Sequence, residues 1–370
     1  MKRRLKELCI LLAGLGAIGL FVLVSGIAPI NASGGHWPIT RWFLDYASDR
    51  SVDFHSSGIE PPPLDQLGMV RLGAATYDSN CRWCHGRPGS PAPVVAGHMT
   101  PSPPYLPGTP LDKEPRELFY IVKHGIKFAG MPAWPTQARD DDVWPVVAFL
   151  QQLSQLDAED YDRQVRVETE SDSPVEQLAA QTCAACHGTS SSPAAGPRVP
   201  LLASQSQAYL EQSLQAFKTG TRQSGIMQPI AARLTDPQIA KLAAFYAAEP
   251  DVERETQMAN VAESNRADVD ELVERGKSLA HRGDRQKKIA ACTACHGPGT
   301  IQRSDDYPKL AGQPAWYLTQ QLELLQRRAR GGTDRVERMH SIADKLTAEE
   351  IEALANYYAQ LPLGRIVADE

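Results

Sequence analysis

The chain has 370 residues, 42% hydrophobic and 22% charged, a globular composition at a length suited to two or three domains rather than one. Its net charge of −6 gives no basic surface of the kind nucleic acid requires, so none is expected as a partner. Of seven cysteines, six lie in three Cys-x-x-Cys-His motifs and the seventh, Cys9, in an apolar N-terminal run, which leaves no pair for a structural disulfide.

Lys2, Arg3, Arg4 and Lys6 precede a stretch, Leu8 to Ile27, that carries no charge and is about as long as a membrane-spanning helix. Basic residues before it and few immediately after it orient the N-terminus to the cytoplasm. The competing reading is a cleaved signal peptide. The run exceeds the usual length of such a signal, and Ile30-Asn31-Ala32 has isoleucine where cleavage wants a small residue, so a retained anchor is expected. Trp37, Trp42 and Tyr46 follow, amphipathic aromatics suited to a membrane surface. Residues 1–35 read as cytoplasmic tip and transmembrane anchor, and 36–60 as a juxtamembrane segment.

A first domain is expected over residues 61–155. Pro61-Pro62-Pro63 opens it, and Leu67, Val70, Ala74 and Tyr77 form a helical stripe leading into Cys81-Arg82-Trp83-Cys84-His85. This pentapeptide recurs as Cys183-Ala184-Ala185-Cys186-His187 and Cys292-Thr293-Ala294-Cys295-His296, each time followed by glycine. Two thiols on one helical turn can each form a thioether to a haem vinyl group, and the adjacent histidine then presents its imidazole to the iron. Redox dithiols and half-zinc sites share the bare Cys-x-x-Cys. The histidine repeated three times singles out haem c, hence three covalently attached haems. A proline-rich loop follows, with Pro88, Pro91, Pro93, Pro101, Pro103 and Pro104, which excludes helix or central strand. Glu114–Lys123 reads as a helix with Pro115 in its first turn. Met131, in Gly130-Met131-Pro132-Ala133-Trp134, is the candidate for the sixth iron ligand, with Met69 and Met99 as rivals less well placed in the chain. Asp140-Asp141-Asp142 reads as cap and first-turn charge of a helix whose apolar face is Val143, Trp144, Val147 and Leu150.

Residues 156–173 are acidic and weakly apolar and read as a linker, as do 251–268. The segments after them, 174–250 and 269–364, are copies of one another. Pro200 to Gln205 matches Pro308 to Gln313, Tyr209-Leu210 matches Tyr317-Leu318, and Met227 falls on Met339. Leu242 to Ala247 falls on Leu354 to Ala359. Thr235 and Thr347 read as caps of the closing helices, the latter with Glu350 as a capping box. Each of the three candidate methionines lies about forty residues beyond a motif histidine, one per domain, which singles out Met131, Met227 and Met339. His340, beside Met339, aligns with Gln228 and is expected at the surface.

Residues 174–364 resemble the tandem di-haem cytochromes c of the c-four type, through the paired motifs, Pro-Lys-Leu-Ala-Gly-Gln at 308–313, Gly220-Thr221-Arg222 before Met227, and the Leu-Ala-x-Tyr/Phe-Tyr-Ala closing helices. The first domain resembles a single class I cytochrome c domain, of the sort found in cbb-type oxidase subunits and in cytochrome subunits of alcohol dehydrogenases, through Gly-Met-Pro-Ala-Trp. The resemblance implies an all-α fold, three class I cytochrome c domains in tandem behind one N-terminal transmembrane helix, with low-spin His/Met haems. It also implies attachment outside the cytoplasm: an inner-membrane protein with its soluble domains in the periplasm. In that class a proline carbonyl bonds the proximal imidazole; Pro308 would serve here, and Pro200 or Pro197 in the second domain.

The expected function is electron transfer between a quinol-oxidising or substrate-oxidising complex and a terminal oxidase, with other redox proteins as partners and no catalytic group in this chain. The alternatives are the cytochrome subunit of a membrane dehydrogenase complex, or an enzyme of the multi-haem peroxidase or sulfur-compound dehydrogenase kind.

Overall fold

The computed structural model describes residues 2–28, 30–190, 192–203, 205–249, 266–297, 304–332 and 335–362. Residues 251–265 of the expected second linker, and 363–364 of the expected third domain, lie outside them. Among the described residues the protein is helical and has no strand, only isolated bridges at Thr189–Ser192 and Asp284–Ile289.

The N-terminal α1 (Lys2–Ser25) is exposed along its whole length and is long and apolar enough to cross a membrane. After it, α2 (Pro38–Ser56) begins with proline at the first helical position, where the missing N–H costs nothing. Its C-terminal half docks on the first haem-motif unit: His55 stacks on Tyr120 at 5.8 Å, and Asp49 and Asp53 take Lys113 (3.0 Å) and Arg116 (3.4 Å). Its N-terminal half leaves Trp37, Trp42, Phe43 and Tyr46 exposed.

The first unit is built from α3 (Met69–Asn80), α4 (Pro115–His124), α5 (Asp140–Leu153) and α6 (Ala158–Val165). The apolar stripe expected from Leu67 begins two residues later, at Met69, and Leu67 itself is exposed. The dominant contact is α3 across α5. It is close because Gly73 meets the Pro145 carbonyl and the Phe149 side chain, where a Cβ has no room. The acidic stretch expected to be linker carries α6, whose Tyr161 is fully buried and donates to Asp78 Oδ1 at 2.8 Å. One buried aromatic and an Asp157 cap were enough to fold a segment that its bulk composition marks as polar.

The second unit holds α7 (Pro174–Thr182), α8 (Gln207–Lys218), α9 (Met227–Ala232) and α10 (Asp236–Ala248). The third holds α11 (Arg266–Arg282), α12 (Ala315–Gln326), α13 (Val336–Ala343) and α14 (Ala348–Gln360). Here α11 crosses α14 at Gly276, which abuts the Ala353 carbonyl, the same device as Gly73 in the first unit. The closing helices are capped as expected by Thr235 and Thr347, and both are full capping boxes, with Gln238 and Glu350 returning the bond.

Second and third units meet in a seam with internal two-fold symmetry. Gln205 donates to the Lys309 carbonyl (2.8 Å) and accepts from the Lys309 N–H (3.0 Å). Gln313 donates to the Leu201 carbonyl (2.9 Å) and accepts from the Leu201 N–H (3.0 Å). The two glutamines are equivalent in the repeat, as are Leu201 and Lys309, so each copy grips the other's backbone in the same way.

The first unit's core is continuous with the second unit. Ala195, Val199, Ile226 and Ile230 belong to the same buried cluster as Met69, Phe149 and Trp134. At this contact the expected acid cap differs from what is found. Arg139 occupies the cap position of α5 and no side chain caps the helix. Asp140 and Asp141 lie in the first turn, where their charge suits the helix dipole. Asp142 is 5% exposed and bonds to the second unit instead.

Candidate functional site

Each Cys-x-x-Cys-His motif folds into the same single turn. The first cysteine's carbonyl accepts from the second cysteine and the histidine: Cys81 from Cys84 (3.1 Å) and His85 (3.0 Å), Cys183 from Cys186 (3.2 Å) and His187 (2.9 Å), Cys292 from Cys295 (3.1 Å) and His296 (2.9 Å). Residues at i, i+3 and i+4 share one helical face, so both sulfurs and the imidazole project together. The turn is closed by Gly86, Gly188 and Gly297 at φ of 81°, 71° and 66°, a left-handed conformation that explains the glycine after every motif.

The three imidazoles are held alike. Nδ1 lies against a proline carbonyl: His85 on Pro104 at 3.0 Å, His187 on Pro200 at 3.0 Å, His296 on Pro308 at 2.9 Å. A carbonyl only accepts, so Nδ1 carries the proton and Nε2 keeps its lone pair for a metal. Burial pushes all three histidines below their ordinary range, against the opposing pull of the carbonyl bond, which keeps them neutral. Pro200, and not Pro197, fills the role in the second unit. Pro104 fills it in the first, where the crowd of prolines hid it from sequence reading.

Four of the six motif thiols, Cys81, Cys183, Cys186 and Cys292, pack against apolar cores. Burial pushes Cys81, Cys183 and Cys186 up to about 12 and Cys292 to about 11. A redox or zinc-binding thiol would be shifted the other way. Among the described residues no three His, Cys, Asp or Glu side chains converge as they would around zinc.

Met227 opens α9 and Met339 lies in α13. Both line one cavity of about 590 Å3, together with Cys183, Cys186, His187, Cys292, Cys295 and His296. The second and third motifs therefore face a common chamber. Met131 is part-buried against the first core. Its rival Met69 is fully buried core at the start of α3, while Met99 lies against Gly130, directly beside Met131.

Two arginines line the shared chamber, Arg222 buried and Arg330 half-buried. Arg222 donates to Ser213 Oγ (3.0 Å), Tyr317 OH (3.3 Å), Gln321 Oε1 (3.4 Å) and Tyr209 OH (3.5 Å). Arg330 donates to Tyr209 OH at 3.0 Å. Neither forms an ion pair with a carboxylate among the described residues. Burial and the neighbouring Arg222 both push Arg330 down. Burial pushes the Tyr209 hydroxyl up, but the two guanidinium groups outweigh it and bring it to about 8. Cations that face an apolar chamber without a carboxylate beside them call for anions from elsewhere. Haem propionates are such anions, so thiols, imidazoles, methionines and cations together fit the group. His340 proved not to be a surface residue. It is 5% exposed, and its Nε2 donates to the Arg330 carbonyl at 2.8 Å, fastening the arginine's segment to α13.

Fold and sites together define a c-type cytochrome. A profile described as "Cytochrome C oxidase, cbb3-type, subunit III" matches residues 68–150, and one described as "Cytochrome c" matches 174–247 and 273–362. The chain is 33% identical over 218 residues to a "Thiosulfate dehydrogenase electron acceptor" of Stutzerimonas stutzeri, covering 59% of this chain and 94% of that protein. It is 33% identical to a protein of the same description from Thiomonas intermedia (50% of this chain, 81% of that one). It is 31% identical to "Cytochrome c4" of Pseudomonas aeruginosa (50% and 87%). The chain belongs to the cytochrome c family and is homologous to the cytochromes c4. Its cytochrome c domains imply covalently bound haem c, and its chemistry is electron transfer. Between half and three-fifths of this chain aligns with most of each relative.

Proposed function

We propose that the three units are three cytochrome c domains, at 61–155, 174–250 and 269–364, each carrying one haem c. Cys81 and Cys84, Cys183 and Cys186, and Cys292 and Cys295 form the thioethers. His85, His187 and His296 would each give an imidazole ligand to the iron, and Met131, Met227 and Met339 would each give a thioether ligand. Bound haem supplies one-electron iron chemistry; the chain fixes each imidazole through a proline carbonyl, excludes water with its apolar cores and holds each methionine in place. The observation that supports this most is the threefold histidine-to-proline bond, because it prepares three identical metal-ready nitrogens. With α1 as anchor, the protein carries electrons at the periplasmic face of the inner membrane, between a quinol- or substrate-oxidising complex and a terminal oxidase. Replacing Met131, Met227 or Met339 singly by leucine removes one third of the methionine-to-iron charge-transfer absorbance. Unchanged absorbance in any one variant rejects that ligand. Rapid cyanide binding by the native protein at any haem would instead favour an enzyme with an open iron.

A second reading concerns the donor. Two relatives are described as electron acceptors of a thiosulfate dehydrogenase. This chain then takes electrons from a dehydrogenase of sulfur compounds, either as a separate carrier or as a bound subunit. Isolating the membrane complex intact and identifying the chains that co-migrate distinguishes this from an oxidase-bound carrier.

A further inference from the structure

The first unit reaches into the ligand loop of the second. Asp142 lies in the first turn of α5 and is buried. Its Oδ1 accepts from Arg139 Nη2 at 2.7 Å. Its Oδ2 accepts from Ser224 Oγ at 2.9 Å and from the Gly225 N–H at 3.0 Å. Ser224 Oγ in turn accepts from the backbone N–H of Ile226 (3.3 Å) and of Met227 (3.2 Å). The hydroxyl has one proton to give and lone pairs to receive. Pointing the proton at Asp142 leaves the lone pairs for the start of α9, and the two directions reinforce each other. The relay is flanked on both sides. Trp134 lies over Gly225, where any Cβ would strike the indole, and Thr136 Oγ1 donates to Gln223 Oε1 at 2.6 Å. Arg139 Nη1 donates to the Gln223 carbonyl at 3.3 Å.

The repeat supplies its own comparison. With Met227 on Met339, Ser224 falls on Val336 and Gly225 on Glu337. Valine has no hydroxyl to pass a bond along, and Glu337 has a mostly exposed side chain. Among the described residues Met339 has no such relay through a side-chain hydroxyl.

We propose that Asp142 is a positioning residue for Met227: a carboxylate of the first unit, acting through Ser224, fixes the backbone of the second unit's iron-ligand candidate. The inference rests on Met227 being that ligand. Docking of the first unit and ligation in the second are then one event.

The test uses full-length holoprotein and follows imidazole displacing methionine from ferric haem. The rate of displacement reports how often the methionine loop opens. Met227→Leu is measured first and identifies the second haem by its loss of one third of the charge-transfer absorbance. If that absorbance stays whole, both the ligand assignment and this proposal fall. With the assignment standing, Asp142→Ala speeds imidazole entry at the second haem by about tenfold or more, the loss of a charged hydrogen-bond acceptor. The first and third haems are unchanged. Asp142→Asn, which keeps an acceptor for Ser224 and Gly225, restores much of the native rate. Ser224→Ala cuts the relay while leaving Asp142 paired with Arg139, and gives the same acceleration should Asp142→Ala fold poorly. Native imidazole rates at the second haem in folded Asp142→Ala and Ser224→Ala overturn the proposal and leave Met227 as ligand untouched.

Discussion

A single guanidinium in an apolar chamber would act on bound iron at a distance. Arg222, buried, and Arg330, half-buried, lie beside the second and third motifs with no carboxylate bound to them among the described residues. Positive charge favours the reduced iron, so removing it lowers the potential. A unit charge at about 10 Å and an effective dielectric of about 20 is worth about 1.7 kcal/mol, or some tens of millivolts. Arg330→Met is expected to lower the potentials of the two chamber haems by that order, while exposed Arg163→Met leaves all potentials in place. Redox titration of the full-length protein checks both. The sequence marked Arg222 only as part of a family-like tripeptide and did not mark Arg330 at all. An arginine read from sequence defaults to solvent, and nothing local says that its neighbours are Tyr209 and Tyr317 rather than water. His340 was misjudged for the same reason: its environment is made by Arg330, ten residues away along the chain and adjacent in space. The cysteines and histidines stand out in the sequence because the spacing that thioether and iron chemistry require falls within five residues.

At the scale of helices, the closing elements α10 and α14 carry their start signals in four consecutive residues each, and these were readable. Thr235→Ala and Thr347→Ala each remove one capping box, at a cost of about 1 kcal/mol. The two sites lie in different units and share no partner, so the double variant is expected to lose the sum within a few tenths of a kcal/mol. Urea denaturation of the three variants measures this, and a loss in the double variant well short of the sum would show the two helices to be coupled. Helix α6 was not readable. Its stabilising features are Tyr161 against α3 and the bond to Asp78, contacts spanning more than eighty residues of chain. Bulk composition sees only the acids around them. The start of α5 shows the same limit: three consecutive aspartates look equivalent in sequence, and only the packed neighbour decides that Asp142 turns inward.

For the whole molecule, the seam between the copies is where the repeat becomes a single body. Gln205→Ala with Gln313→Ala deletes four backbone-directed hydrogen bonds, each worth about 1 kcal/mol. The second and third units are expected to unfold together in the native protein and in two separate steps in the double variant, as followed by haem absorbance in denaturant. A single shared step in the variant would show that the chamber alone holds the copies together. The alignment brought the two glutamines into register but gave no hint that each binds the other's strand of backbone. The seam has a further consequence for assembly. Its contact is isologous: each copy presents the same grip and the same backbone that it receives, as in a homodimer. Such a contact closes on two members and offers nothing to a third. An additional haem unit could not be appended by repeating it, and the first unit accordingly joins through a heterologous surface of its own, at the methionine loop of its neighbour.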